Sequence, residues 1–476
     1  MVKKQKAKIK FIGLSSQDVT GSMHLVTYKK NKVLLDCGYY QCSNKLKQYK
    51  MNARNLNFKV KELDSIIISH LNLDHYGLLP RLYELGCEAN IYIPKNSKEY
   101  LKVAFKDSLK IQSKDLDFID KQTGKRPKPL YTEDSVNKML EYVKEINFNK
   151  KIKINEYMQL RYQPAYHILN SAQIELFIRD LKNNYNRKIY YSGDLGNTHI
   201  KDKPFLNGFN FVKNSDVAIC ESTYAMNNKI ATQKKRDKDI EKMNTTILET
   251  INNGGNYCFA SFAYQRAQEL LYELYKLYGE DDSFKTPIIL DSPLSIIITN
   301  MFKDMVEDYD KNKIDKILKW KNLKMTGDWK DSVAAISNSE SKIVIAASGF
   351  ANAGRIRKWM INELPNPNST ICFIGYSSEN SLSGIIKAGI KKCIKIDGEM
   401  VENKAKACNL TSFSSHIQHD TMLDMYSEMN TKEIYLVHGE MDNRIKFAEI
   451  LRDKISNKNN TTKVYIGNKD LEIEIK

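Results

Sequence analysis

The 476-residue chain is long for a single hydrophobic core, so its length indicates two domains or three. Hydrophobic residues make up 42% of it, enough for sizeable cores, but no apolar run is long enough to cross a bilayer, which excludes a membrane-spanning protein. The formal net charge of +17 favours a polyanionic partner such as nucleic acid. A genome whose composition enriches all of its proteins in lysine would give the same charge.

Strands and amphipathic helices are predicted for the first half of the chain. Residues 7–36 have the pattern of a strand followed by a hairpin with a KKNK turn, and residues 65–70 that of a short buried strand ending in a histidine. Helical apolar spacing follows at 77–86 and over 97–146. Further strands are predicted at KIKI, QLRYQPAYHI, IELFIRD and KIYYSGD.

After about residue 214, short apolar strands alternate with helical stretches. The predicted strands are VAICEST, NYCFASF, TPIILDSP, KIVIAASG, STICFIGYS and KKCIKID. The helical stretches between them include QRAQELLYELYKLYG and SIIITNMFKDMVEDYDKN. This alternation is typical of a parallel α/β sheet that is covered by helices on both faces.

The cysteines and the N-terminus both indicate a protein of the cytoplasm. The eight cysteines are scattered and contain no C-x-x-C pair, which is typical of reduced thiols in a protein core. The N-terminus is basic, but its apolar stretch is too short for a signal peptide. We therefore expect cytoplasmic localisation.

Side chains suited to binding a metal lie at the ends of predicted strands. Asp194 is one of them, and five of the eight histidines are the others: His70, His75, His167, His416 and His438. A single histidine of this kind is more often structural, but the joint pattern favours side chains that converge above a sheet. Asp74 lies between two of these histidines, and imidazole with carboxylate suits Zn²⁺ or a similar divalent ion.

These clusters resemble the motifs of a known family. SHLNLDHYG (69–77) resembles the H-x-H-x-D-H signature of the metallo-β-lactamase fold, and LLDCGYYQ, AYHILNSA, YYSGDLG and LVHGE resemble its other motifs. CESTYA, SFSSH and LVHGE resemble, in order, the motifs of the β-CASP family, as do FAYQRAQELL, LDSPLS, AASGFANAGRI and IGYSSENSL. Over nearly its whole length, the chain is similar to β-CASP ribonucleases such as the cleavage-and-polyadenylation endonuclease and short bacterial RNases.

The resemblance implies an α/β fold in which a metallo-β-lactamase domain is interrupted by an inserted domain. The first would be an αββα sandwich formed by residues 1–214 and 411–476, and the second a parallel α/β β-CASP domain at 215–410. Two metal sites are implied. One would be held by Asp74, His75, Asp194 and His438, and the other by His70, the residue at position 72, His167 and Asp194.

The resemblance gives catalytic roles to four residues, one of which, Asp74, is also a ligand. Asp36 would orient a ligand histidine through its second ring nitrogen. His416 would face the scissile phosphate as a general acid, held in its tautomer by Glu221. Asp74 would be catalytic as well as a ligand, because the reaction implied is phosphodiester hydrolysis by a metal-activated hydroxide.

Single-stranded RNA is the partner that the resemblance implies, because a histidine in the last motif, His438, accompanies RNA rather than DNA in this family. No membrane partner is expected, and a homodimer is left open. Two alternatives to a ribonuclease also stay open. One is a catalytically degraded pseudo-nuclease that binds RNA or a protein, and the other is a hydrolase of DNA or of a small phosphodiester.

Several positions depart from the family pattern. Asn72 replaces a histidine of the signature, and an amide oxygen is a weak ligand of zinc. We therefore expect one tightly bound Zn²⁺ and a second that is weak or absent, with Mn²⁺ as another metal that could serve. Tyr166 and Asn170 stand where glycines are usual, and Gln418 replaces an aspartate. These changes motivate the pseudo-nuclease alternative.

One loop of the inserted domain has the composition of a phosphate-binding loop. SGFANAGR (348–355) could surround a phosphate or the RNA backbone through Ser348, Gly349, Gly354 and Arg355, because glycine permits close approach of the backbone. An ordinary loop between a strand and a helix is an equal alternative.

Overall fold

The structure, a computed structural model, describes residues 5–16, 18–42, 44–201, 203–226, 231–374, 381–458 and 460–476. The chain forms two compact units. Unit 1 comprises Met1–Thr198, Asn207–Ile230 and His416–Lys476, and unit 2 comprises His199–Leu206 and Ala231–Ser415.

Unit 1 is built on two sheets, each with seven strands among the described residues. In spatial order, the strands of the first sheet are β22 (Glu472–Glu474), β1 (Lys8–Phe11), β2 (His24–Tyr28), β3 (Asn31–Leu35), β4 (Ser65–Ile67), β5 (Asn90–Pro94) and β6 (Val143–Ile146). Those of the second sheet are β21 (Lys463–Ile466), β20 (Glu433–Val437), β11 (Val217–Glu221), β10 (Tyr185–Tyr191), β9 (Ala172–Asp180), β8 (Met158–Pro164) and β7 (Ile152–Lys153).

The two sheets pack face to face through the side chains that alternate along each strand. On β11, Val217 and Ile219 belong to the core between the sheets, whereas Ala218 and Cys220 belong to the core on the other side. Ile67 from the first sheet joins the same inter-sheet core. A strand that is apolar on both faces is what burial between a second sheet and a layer of helices requires.

Helices complete unit 1 outside the sheets. They are α1 (Lys45–Ala53), α2 (Leu73–Tyr76), α3 (Leu79–Glu84), α4 (Lys98–Thr123), α5 (Glu133–Glu141), α13 (His419–Ser427) and α14 (Met441–Asn457). Tyr426 of α13 and Phe447 of α14 pack against the outer face of the second sheet. The predicted αββα class is confirmed. No helix in the described ranges has both the length and the apolar character needed to cross a membrane.

Two local predictions in unit 1 need correction. The hairpin turn is shorter than KKNK, because β3 already begins at Asn31 and the turn consists of Lys29 and Lys30. Residues 97–146 are not helical to their end, because Val143–Ile146 form strand β6 and pair in parallel with β5. Helical apolar spacing does not detect a strand this short when it lies at the edge of a sheet.

Unit 2 contains a parallel sheet with six strands in the part of the chain that is described. In spatial order they are β14 (Leu323–Met325), β13 (Ile288–Asp291), β15 (Ile343–Ala346), β12 (Tyr257–Ala260), β16 (Thr370–Ile374) and β19 (Lys406–Leu410). The helices are α6 (Gln233–Asn252), α7 (Arg266–Tyr278), α8 (Pro293–Met305), α9 (Asp308–Leu318), α10 (Trp329–Ser337), α11 (Ile356–Glu363) and α12 (Leu382–Ala388).

Unit 2 has the parallel α/β arrangement that the alternating pattern predicts, with two differences. KKCIKID is not in the parallel sheet, since its strand β17 (Cys393–Ile396) forms a separate antiparallel pair with β18 (Glu399–Glu402). VAICEST contributes β11, which pairs with β10 and β20 in unit 1, although the sequence placed it at the start of the inserted domain. The other predicted domain limits stay predictions. Most of IGYSSENSL falls on 375–380, outside the described residues.

Candidate metal centre

The candidate ligands lie where strands of unit 1 end. In the second sheet, β10, β11 and β20 are parallel, and Asp194, Glu221 and His438 lie at or just after their carboxyl ends. In the first sheet, Asp36 and His70 follow the parallel strands β3 and β4. Because the carboxyl ends of parallel strands meet at one edge of a sheet, side chains from distant parts of the chain come together.

Six of the candidate ligands form two groups, and within each group the ligand atoms lie within 4.8 Å of one another. One group is His70, His167 and Asp194, and the other is Asp74, His75 and His438. In the first group, Asp194 Oδ2 is 3.6 Å from His70 Nε2 and 3.8 Å from His167 Nε2. In the second, Asp74 Oδ2 is 3.2 Å from His438 Nε2 and 3.6 Å from His75 Nε2.

Asp194 lies between the two groups. While its Oδ2 faces the first group, its Oδ1 is 3.3 Å from His75 Nε2 and 3.6 Å from His438 Nδ1 in the second. Burial raises the pKa of this carboxyl, but the imidazoles of His438, His75 and His70 outweigh burial and hold the pKa well below its usual range. An ionised carboxylate with one oxygen turned to each group can serve as a ligand shared by two cations.

The residues present fit a bound divalent cation. His70 is fully buried, and its Nε2 has no hydrogen-bond partner among the described residues. Within the described part of the chain, the ion pairs of Asp36, Asp74 and Asp194 involve only histidines. Burial lowers the pKa of His75, but these three carboxylates hold it well above the usual range. Buried carboxylates without a lysine or arginine call for a cation, which imidazole and carboxylate ligands can hold.

Asp36 contacts the ring nitrogen of His75 that faces away from the ligand group. Its Oδ2 is 2.7 Å from His75 Nδ1, and the same oxygen accepts hydrogen bonds from the hydroxyls of Ser69 and Tyr191, each at 2.7 Å. With Nδ1 occupied, Nε2 of His75 faces the ligand group. Carboxylate partners of this kind fix the tautomer and raise the basicity of a ligand histidine. Ser69 and Tyr191 were not predicted from the sequence, although Ser69 adjoins the histidine signature.

The LLDCGYYQ loop and the residues just before β2 hold the signature loop through backbone hydrogen bonds. Ser22 N donates to Asp74 O at 2.8 Å and Cys37 N to His75 O at 2.7 Å. At Gly38 a Cβ atom would stand 1.7 Å from Asp74 O, which only glycine avoids. The glycine of this motif therefore permits the close approach that places Asp74.

The substituted positions keep the local geometry that glycine favours. Tyr166 and Asn170 have φ values of 60° and 58°, in the left-handed region that is unfavourable for a large side chain such as tyrosine. Asn72 lies at the start of α2, and its Nδ2 is 3.2 Å from His167 Nε2. The amide thus adjoins the His70 group, at the side where the signature has a histidine.

Glu221 and His416 form a pair beside the ligand groups. His416 Nδ1 is 3.4 Å from Glu221 Oε1, and its ring centroid is 4.5 Å from that of His167. The carboxylate is held by Leu195 N, which donates to Oε1 at 2.7 Å. Gln418 Nε2 donates to the backbone oxygen of His416 at 2.9 Å. His416 is thus near both groups without belonging to either.

Three family models match the chain. One is described as the Beta-Casp domain and matches residues 267–386, and one as the Zn-dependent metallo-hydrolase RNA specificity domain, at 400–465. The third is described as Anti-Pycsar protein Apyc1 and matches residues 8–207. The chain belongs to the β-CASP family of the metallo-β-lactamase fold. The family assignment made from the sequence motifs is confirmed.

Two proteins named as ribonucleases and one solved structure are similar to the chain along most of their length. Ribonuclease TTHA0252 of Thermus thermophilus is 26% identical over 443 residues, which are 92% of this chain and 94% of that protein. Probable RNase MJ4 of Methanocaldococcus jannaschii is 28% identical over 424 residues, 86% of this chain and 88% of that protein. A crystal structure titled as a protein of unknown function from Enterococcus faecalis shares the fold, with a TM-score of 0.56, 11% identity, and coverage of 99% of this chain and 100% of that chain.

The side chains of the predicted phosphate loop make hydrogen bonds within unit 2. The guanidinium of Arg355 donates to Asp291 Oδ1 at 2.7 Å and to the backbone oxygens of Thr326 and Gly327. Ser348 Oγ donates to Ala353 O at 3.1 Å. These donors are engaged within the loop and its neighbours, as the alternative of an ordinary strand-to-helix loop requires. Phosphate binding by this loop has no support from these contacts and stays a prediction.

Proposed function

We propose that this β-CASP protein is a metal-dependent ribonuclease that hydrolyses phosphodiester bonds of single-stranded RNA. The observation that carries the proposal is the arrangement around Asp194, whose Oδ2 faces the buried imidazoles of His70 and His167 and whose Oδ1 faces those of His75 and His438. The match of residues 400–465 to an RNA specificity domain supports RNA as the substrate, as do the similar proteins named ribonucleases. These matches favour the nuclease over the pseudo-nuclease alternative.

Each side chain of the centre has a proposed task. Asp74, His75 and His438 would hold one cation, and His70 and His167 another, with one oxygen of Asp194 contributed to each. Divalent cations there would lower the pKa of water and neutralise charge on the phosphate. Asp36 fixes the direction of the His75 lone pair by its contact with Nδ1. His416, with Nδ1 turned to Glu221, has Nε2 left to donate a proton to the leaving oxygen.

The metal, the location and the assembly are further proposals. Zn²⁺ is the proposed ion because four imidazoles and two carboxylates form its preferred ligand set, and Mn²⁺ would accept the same ligands less well. The cytoplasm is proposed because all eight cysteines are free thiols. A homodimer stays open.

Wild-type protein tests the function directly. We expect cleavage of labelled single-stranded RNA that is lost when the metal is removed by a chelator and restored by Zn²⁺ or Mn²⁺. RNA binding should weaken steeply as salt rises, because lysines that contact phosphates release counterions. RNA that stays intact with every metal tested would contradict the proposal, whereas intact RNA that still binds tightly would favour the pseudo-nuclease.

Replacement of Asn72 by histidine is expected to increase activity. Because an amide binds zinc more weakly than an imidazole, the His70 group should hold its ion less tightly than the His75 group. We expect about one tightly bound Zn²⁺ per wild-type chain, rising towards two in Asn72→His, with faster cleavage. Asn72→Gln keeps an amide and serves as the control, in which neither quantity should rise.

Metal content after dialysis and initial cleavage rates measure both effects. If Asn72→His gained neither metal nor activity, the amide would not be the cause of weak binding in this group. The changes at Tyr166 and Asn170, which occupy left-handed backbone positions next to His167, would then become the explanation to test.

A further inference from the structure

The end of β11 and the loop after it support two histidines of the candidate site through two different side chains. Glu221 contacts His416, and two residues later Thr223 contacts His438. Thr223 lies in neither ligand group, yet its hydroxyl reaches an imidazole that is only 4% exposed. We propose that Thr223 is a positioning residue that fixes the tautomer of His438, so that Nε2 is the nitrogen offered to the metal. This inference rests on the proposed function.

The two contacts of the Thr223 hydroxyl favour one tautomer of His438. Oγ1 is 3.2 Å from the backbone oxygen of His438, to which it can only donate, and 2.9 Å from Nδ1 of the same residue. A hydroxyl has one hydrogen, so donation to the carbonyl leaves its lone pair to accept from Nδ1–H. The neutral imidazole then carries its hydrogen on Nδ1 and presents a lone pair on Nε2.

In this tautomer the lone pair on Nε2 would point into a ligand group. Nε2 of His438 is 3.2 Å from Asp74 Oδ2 and 3.2 Å from His75 Nε2. The other oxygen near Nδ1 is Asp194 Oδ1, at 3.6 Å, which is beyond hydrogen-bond distance. Thr223 therefore does for His438 with a neutral oxygen what Asp36 does for His75 with a carboxylate.

The hydroxyl is held in place by the backbone around it. Thr223 N donates to Glu221 Oε2 at 3.2 Å, and Ser222 N donates to the backbone oxygen of His438 at 3.2 Å. Ser222 Oγ donates to Val437 O at 2.7 Å, which ties the loop to the end of β20. These contacts fix the backbone at both residues, so the hydroxyl of Thr223 is the group that holds the imidazole ring of His438. Loss of the hydroxyl should therefore free the imidazole to rotate. Serine keeps the hydroxyl and can replace threonine.

Zn²⁺ affinity of the full-length chain tests this role without an activity assay. Metal-free protein is titrated with Zn²⁺ in competition with a chromogenic chelator. Thr223→Val keeps the shape and removes the hydroxyl, and should weaken the tightly held ion by about 10–100-fold, the usual cost of losing such a partner. Thr223→Ser should restore affinity close to that of the wild type.

Thr462→Val is the matched control. Thr462 is buried, and its hydroxyl donates to Thr431 O at 2.6 Å next to the amino end of β21, the end away from the site. Its loss should leave Zn²⁺ affinity unchanged. The positioning role is overturned if Thr223→Val binds Zn²⁺ like the wild type, or if Thr223→Ser is as weak as Thr223→Val. Absence of tight Zn²⁺ binding in the wild type would instead overturn the proposed function, which separates the two failures.

Discussion

Asp194→Asn is expected to reduce RNA cleavage to the rate of the metal-free protein. Asparagine keeps the shape of the side chain but removes the charge that both ligand groups share through Oδ1 and Oδ2. Removing one preorganised group from an active site costs on the order of 10²–10³-fold in rate. Because Asp194 serves both groups, we expect a loss at least as large, together with a fall in bound metal. The measurements are metal content and initial cleavage rates of labelled RNA.

Asp180→Asn is the matched control for this experiment. Asp180 is equally buried and lies at the far end of β9 from the site, where it accepts a hydrogen bond from Tyr28 at 2.9 Å. This variant should lose stability but keep its metal and its cleavage rate. RNA affinity should survive in both variants, since we expect the contacts with phosphates to come mainly from surface lysines. Asp194→Asn with the wild-type rate and metal content would remove Asp194 from the centre, and the proposed mechanism with it.

The convergence of the site could be predicted because its residues follow strands. His70, Asp194 and His438 each stand just beyond a strand that the apolar pattern identifies, and parallel strands place such positions at a common edge. The order of the motifs along the chain then indicated the family. The same reasoning failed for Val143–Ile146, because a short edge strand has no pattern of its own within a helical region.

The partners behind the ligands could not be predicted from local sequence. Tyr191 reaches Asp36 across 155 positions, and Thr223 reaches His438 across 215. Only the packing of strands against one another brings such pairs together, and a tyrosine or threonine carries no signal of that contact. Arg355 shows the opposite case. Its loop has the composition of an anion site, but a buried carboxylate, Asp291, is available within the same unit.

His416→Ala is expected to lower the cleavage rate by about 10²–10⁴-fold, the contribution of a general acid, without loss of bound metal. The side chain is outside both ligand groups but close to them, with its ring centroid 4.5 Å from that of His167 and 6.1 Å from that of His438. At 20% exposure it is also more accessible than the ligand histidines. A partly exposed position beside the candidate ligands suits a group that meets the substrate.

The contact with Glu221 identifies the nitrogen of His416 that would donate the proton. Its Oε1 lies 3.4 Å from His416 Nδ1, so the hydrogen that can be donated to a leaving oxygen is the one on Nε2. Added imidazole should therefore restore part of the activity of His416→Ala, because a free imidazole can occupy the space and donate the same proton. Elemental analysis gives the metal content, and cleavage of labelled RNA with and without imidazole gives the rates. If the metal content falls in His416→Ala, the side chain is a ligand, and the proton must come from another group.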